Sequence, residues 1–237
     1  MPELLEKRLN LGAGPLGKND WINLDYGILP FLGKYKKWIP SPIRKIIPQG
    51  YQDLINQWPP NVQLHNCKNC LPFQENEISH SFTSHFLEHI KKYEAAFVVG
   101  EVYRVLKPGG YFRIIVPDLE IIIKKYLEKD DEFFAKIDPE LKKYGASTTD
   151  MFLTLFYPPF HLIKKQSLIN RFINRFSRWH IWMYDFDSIK GMLAKAGFIG
   201  INKMSHGETN YSGFKELDDC QEISVFAEAK KPFQDIQ

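Results

Sequence analysis

Apolar residues recur at two periods along the chain, and the order of those periods predicts an α/β protein. Residues 7–12, KRLNLG, read as a short strand ending in a glycine turn. WINLDY (21–26) reads as a second strand with its acid at the carboxyl end, NVQLHN (61–66) as a third and ISHSFTS (78–84) as a fourth, with LPFQENE as the turn between the last two. From Lys91 to Leu106 the apolar positions Tyr93, Phe97, Val98, Val102, Val105 and Leu106 fall at helical spacing, and KPGG then ends the helix. YFRIIVPD (111–118) follows as an almost unbroken apolar run, the pattern of a central strand buried on both faces. A strand, a helix and a strand in this order imply parallel pairing through a right-handed crossover.

A helix is predicted from Asp118 to about residue 129 and another from Asp187 to Ala196, closed by Gly197, with further strands at 198–204 and 222–229. Two stretches break the rhythm. Residues 27–60 carry six prolines among aromatic and basic residues, which limits them to short helical pieces. Residues 130–180 are irregular in a similar way. The expected architecture is a doubly wound α/β sheet forming a single domain over 1–237, with insertions after strands 2 and 5 (about 27–60 and 130–180).

Composition narrows the class. With 44% hydrophobic and 14% aromatic residues the chain buries a core, and a net charge of +3 is too weak to argue for a nucleic-acid partner. No apolar run is long enough to cross a bilayer, and MPELLEKRLN has no room for a signal peptide. Three cysteines, Cys67, Cys70 and Cys220, are too few for a disulfide framework. The expectation is a cytoplasmic protein. Residues 33–51 mix lysine and arginine with aromatic and aliphatic side chains, a composition suited either to a solvated face or to peripheral contact with an anionic membrane or a phosphate-bearing substrate.

Several motifs compete. GAGPLG, from Gly12 to Gly17, fits the dinucleotide pattern G-x-G-x-x-G, but that pattern needs a helix after its glycines and an acid about 20 residues onward. Asp25 lies thirteen residues past Gly12, too near for a crossover helix. HFLEH, His85 to His89, fits a zinc pattern, yet no third ligand is evident in the sequence, and no metal is expected. CKNC, Cys67 to Cys70, has no second pair to complete a zinc site and reads as a plain loop.

Together, LNLGAG, WINLD, LPFQENEISHSFTSHFLEHI, VYRVLKPGGYFRIIVPD and WMYDFDSIKGMLAKAGF resemble the S-adenosylmethionine-dependent methyltransferases of the Rossmann-like class, most nearly the type-11 enzymes associated with surface glycans. The resemblance implies that S-adenosylmethionine is the cofactor. Gly12, Ala13 and Gly14 would approach its methionine part, and Asp25 would accept hydrogen bonds from its ribose hydroxyls. Asn66 would stand where many relatives carry an aspartate toward the adenine amino group, Cys67 would contact the adenine ring, and Ser84 and His85 would lie beside the sulfonium. His85, Asp118 and His180 are the candidate catalytic bases, whereas His89 braces the helix entrance. The acceptor implied is a small molecule or glycan, methylated on oxygen. A cofactor-binding module without catalysis and a nicotinamide oxidoreductase are the alternatives.

Overall fold

The computed structural model describes residues 6–15, 17–137, 139–143, 145–156, 180–218 and 223–233. Strands β1 (Arg8–Leu11), β2 (Ile22–Asp25), β3 (Gln63–Leu64), β4 (His80–Ser84), β5 (Tyr111–Pro117), β6 (Ile199–Met204) and β7 (Ser224–Lys230) form one sheet in the order β3-β2-β1-β4-β5-β7-β6. The first five run parallel, and β7 inserts antiparallel between β5 and β6. The chain first winds outward from β1 to β3, then returns to place β4 on the other side of β1. The crevice between those two strands is therefore the topological switch point where this type of sheet binds ligands.

The predicted elements reappear with small shifts at their ends. α4 (Lys92–Val105) starts at a capping box in which the Glu94 carboxylate accepts the Lys91 N–H, and it stops before the KPGG turn. Gly110 is required there by packing, since a β-carbon would lie 2.4 Å from the Ser79 carbonyl oxygen. Lys231, arriving from the end of β7, donates to the carbonyls of Tyr103 and Leu106 and so satisfies the helix's open C-terminal end. α9 (Phe186–Ala196) is capped by Asp185 and ends at Gly197 in the left-handed conformation. The apolar stripes of α4 and α9 pack on one face of the sheet, around Leu9, Leu11, Val98, Val102, Ile114, Ile189 and Leu193.

On the opposite face a turn-rich segment, residues 205–218, takes the place of a helix layer. Its Phe214 and Leu217 cover Trp21, Phe82, Ile115 and Phe226. Beneath it Arg113, fully buried in β5, pairs with Asp218 and Glu228. Glu228 in turn accepts the Asn210 backbone and side-chain N–H groups, so the buried charges are both paired and hydrogen-bonded.

The insertion after β2 consists of short helices, as its prolines dictate: α1 (Ile28–Lys34), α2 (Ser41–Ile46) and α3 (Gln49–Gln57). Gly33 of α1 packs on the Trp58 ring, where a β-carbon would collide. The insertion after β5 follows α5 (Leu119–Leu127) and carries α6 (Asp131–Ile137), α7 (Pro139–Lys143) and α8 (Thr148–Leu153). These share a separate small core of Ile122, Phe134, Leu141, Met151, Leu155 and Met183. Of the aromatic residues in the two insertions, Trp58 and Phe134 are buried and Phe152 and Phe156 pack against that core, whereas Trp38 is exposed; just beyond the second insertion Trp182 is exposed and Tyr184 buried. Tyr157, Phe160, His161 and Trp179 lie outside the described residues. No helix among the described residues is long and apolar enough to cross a membrane.

Candidate functional site

The parallel strands bring the turn after β1, the end of β2, the loop after β3 and the end of β4 to one edge of the sheet. Gly12 and Gly14 both hold positive φ, 63° and 59°, a region that disfavours a β-carbon. Their surroundings differ. A β-carbon on Gly12 would meet the Phe86 ring at 2.7 Å, whereas one on Gly14 would meet nothing within 4 Å. Gly12 is thus demanded by packing as well as by its backbone, a reason additional to cofactor approach. Gly14 borders open space, as a residue beside a ligand should.

Asp25 ties this turn to β2. Its Oδ2 accepts the Gly14 N–H at 2.9 Å and its Oδ1 accepts the Tyr26 N–H at 2.6 Å, while the Ala13 N–H reaches the Leu24 carbonyl. No helix occurs among the described residues between β1 and β2. An asparagine cluster braces that connection instead: Asn10 donates to Asn23, and Asn23 donates to the Lys18 carbonyl and to Asn61. A β-carbon on Gly17 would lie 2.5 Å from Asn23 Oδ1, so Gly17 serves this cluster. With no helix N-terminus to receive a pyrophosphate, the dinucleotide reading loses its physical basis.

The two residues expected on the adenine side, Asn66 and Cys67, both lie in the loop after β3. The Asn66 side-chain oxygen accepts the Lys68 N–H at 3.2 Å, which commits it to the loop. A carbonyl oxygen has two lone pairs, so the amide keeps one acceptor position beside its N–H₂ donors. Cys67 is buried in the main core beside Leu71, so its thiol is a packing group. Cys70 is exposed.

At the end of β4 the side chains converge. His85 sits at φ 49°, an uncommon conformation for a residue with a β-carbon, and is held there by its N–H bond to the Ile115 carbonyl. Its Nδ1 lies 3.0 Å from Oε1 of Glu88, and its Nε2 is 3.3 Å from the Ser224 hydroxyl. Glu88, on the 3-10 turn Leu87–His89, is fully buried; its Oε1 has the His85 contact without completing a hydrogen bond, and its Oε2 has no hydrogen-bond partner. Its backbone carbonyl accepts the N–H groups of Ile181 and Trp182 at 2.7 and 3.1 Å. That clamp brings His180 alongside His89, with ring centroids 5.1 Å apart. Burial lowers the His180 pKa, and burial followed by the nearby Glu88 charge pushes the Tyr184 hydroxyl up to about 12.

Asp118 has other work. Its Oδ1 caps α5 by accepting the Glu120 N–H at 3.0 Å, and its Oδ2 accepts from Lys203 at 3.2 Å. A carboxylate so engaged is a structural cap and a poor candidate base. His85 and His180 therefore come together around Glu88, and Asp118 does not join them. Glu88, Tyr184 and Ser224 were absent from the residues nominated by sequence. The HFLEH motif contained the first, but nothing local marks the other two.

Residues 49–114 match the type-11 family model described as "Methyltransferase domain", a span from α3 through most of β5. No curated protein matches the chain in sequence. Among solved structures, the chain is similar to an S-adenosylmethionine-dependent methyltransferase of Methanosarcina mazei, at 15% identity and a TM-score of 0.49 over 97% of this chain and 93% of that one. It is also similar to an S-adenosylmethionine-dependent methyltransferase of Archaeoglobus fulgidus, at 14% identity and a TM-score of 0.44 over 95% and 86%. A third is Haemonchus contortus phosphoethanolamine N-methyltransferase 2 in complex with S-adenosyl-L-methionine, at 13% identity and a TM-score of 0.44 over 96% and 49%. The family match covers 66 of the chain's 237 residues, a segment that includes β4 and the turn carrying His85, Glu88 and His89.

Proposed function

We propose that the protein transfers a methyl group from S-adenosylmethionine to an oxygen of a small molecule or glycan. The observation that carries this reading is the convergence, on neighbouring strand ends, of the Gly14–Asp25 pair with the His85–Glu88 pair. The first pair supplies open space beside a glycine turn and a carboxylate for the ribose hydroxyls. The second sets an imidazole 3.0 Å from a buried carboxylate, a base placed to take a proton from a hydroxyl.

When bound, the cofactor supplies an electrophilic methyl on a sulfonium. The rest falls to this chain. Gly12, Ala13 and Gly14 form the turn that lets backbone approach, Ser84 and His85 border the methyl, and the insertions exclude water and align the acceptor. His85 receives the acceptor's hydroxyl proton. His180 stands beside it on the wall formed by Glu88 and His89. Asp118 takes no part in the chemistry.

Titration of the purified chain with S-adenosylmethionine and S-adenosylhomocysteine tests the cofactor, and labelled-methyl transfer to candidate hydroxyl acceptors tests the reaction. Replacement of His85 by Gln lowers kcat by about 10²–10⁴-fold with cofactor affinity kept. Unchanged turnover in that variant removes His85 from its role.

A second reading, a catalytically inactive cofactor-binding module of a glycan-assembly complex, draws on Asn66, an amide where many relatives carry an acid toward the adenine. It predicts cofactor binding with no transfer to any acceptor. A cytoplasmic location goes with either reading. Peripheral membrane contact is assigned to residues 33–51, where Trp38, Ile43 and Ile46 are exposed beside Lys37 and Lys45.

A further inference from the structure

We propose that Glu88, His89 and His180 bind a divalent transition-metal cation of the zinc, manganese or cobalt type. One donor atom from each residue lies within 4.8 Å of the other two. Of the H-x-x-E-H motif the site takes Glu88 and His89, and the fold brings His180 to them through the backbone clamp between Glu88 and residues 181–182.

The polar atoms left over point the same way. Both oxygens of the fully buried Glu88 carboxylate and Nδ1 of His180 are buried without a hydrogen-bond partner. A carboxylate held in such surroundings is costly unless a positive charge compensates it. His85 stands 3.0 Å away and provides charge only when protonated, whereas a cation provides it with the imidazoles neutral. The hydroxyl of Tyr184 is also buried without a hydrogen-bond partner.

The donor set selects the ion. Two imidazoles and one carboxylate suit zinc, manganese or cobalt, whereas calcium and magnesium prefer oxygen alone. Three protein ligands leave a position open, as in metal sites that act on a substrate. The position beside His85 gives the site a role, which rests on the methyl-transfer reading above. The cation polarises the acceptor oxygen, and the O–H proton passes to His85. The oxygen lone pair then forms the new C–O bond as the methyl–sulfur bond breaks, its electron pair remaining on sulfur.

The full chain, freed of metal with a chelator, is titrated calorimetrically with zinc, manganese and cobalt, and cobalt binding is followed by visible absorption. Saturable binding of a single ion per chain is expected, weakened by at least about tenfold in Glu88→Gln, His89→Ala and His180→Ala, each checked by thermal melting. Absence of saturable binding by the unaltered protein overturns the proposal. So does unchanged binding in folded His89→Ala and His180→Ala. A parallel titration with S-adenosylmethionine separates the two readings. Cofactor binding without cation binding removes only the metal site, and cation binding without cofactor binding removes only the transferase.

Discussion

The Asp25 carboxylate accepts the Gly14 N–H at 2.9 Å, so the acid at the end of β2 holds the glycine turn at the end of β1. One residue thereby fixes the shape of the glycine turn, and in the proposed function it also faces the cofactor. Replacement of Asp25 by Ala should cost about 1.5–3 kcal/mol of S-adenosylmethionine affinity, the range for a hydrogen bond to a charged group. Calorimetric titration of both proteins checks this, and equal affinities would remove Asp25 from the ribose.

Gly14 and Gly17 should respond in opposite ways. Gly17→Ala places a methyl 2.5 Å from the Asn23 side-chain oxygen and should destabilise the fold by about 1–3 kcal/mol while leaving affinity in the folded protein intact. Gly14→Ala meets no protein atom, yet its positive φ and its open side should make it costly for cofactor binding. Denaturant melts paired with titrations separate the two. Were Gly17→Ala to abolish binding in a folded protein, the third glycine would regain a place in the motif.

The Arg113 network carries stability rather than chemistry. Removing Glu228 leaves a buried guanidinium short of a partner and strands the Asn210 donors, so Glu228→Ala should lower unfolding free energy by about 3–5 kcal/mol. Urea unfolding monitored by tryptophan fluorescence reads this directly, since Trp21 lies in the cluster on the same face. A loss below 1 kcal/mol would mean that water or another group takes the place of Glu228.

Acid should weaken the same face through His80. Its ring stacks on Tyr211 at 3.7 Å and its Nδ1 accepts the Tyr111 N–H, an arrangement that needs the neutral imidazole. Burial lowers its pKa; Glu6 opposes the shift and Arg8 adds to it. The unfolded chain therefore binds the proton more readily. Stability should fall as pH drops below the ordinary value of 6.5 and level off once the folded protein also protonates. His80→Phe should flatten that slope in melting temperature between neutral pH and the acid limb. An unchanged slope would assign the acid sensitivity elsewhere.

The local signals in this chain were legible because they are set by neighbours in sequence. The 3.6-residue apolar spacing of α4, the KPGG stop, the run of β5 and the Gly197 cap of α9 each act within a few residues, so the elements appear where the pattern places them. The short step from Gly12 to Asp25 likewise excluded a crossover helix, because chain length alone forbids one.

What tertiary structure decided is everything that joins distant residues. Asn61 bracing the glycine turn, Lys231 capping α4, and β7 slipping between β5 and β6 follow from packing across the sheet and leave no periodic trace. Arg113 sits in an apolar strand, and only the arrival of Asp218 and Glu228 explains how it is buried. The site obeys the same division. The sequence determined that His85, Glu88 and His89 stand together. That His180 joins them while Asp118 turns away to cap α5 depends on where the chain returns after the second insertion, and short-range chemistry carries no information about that path.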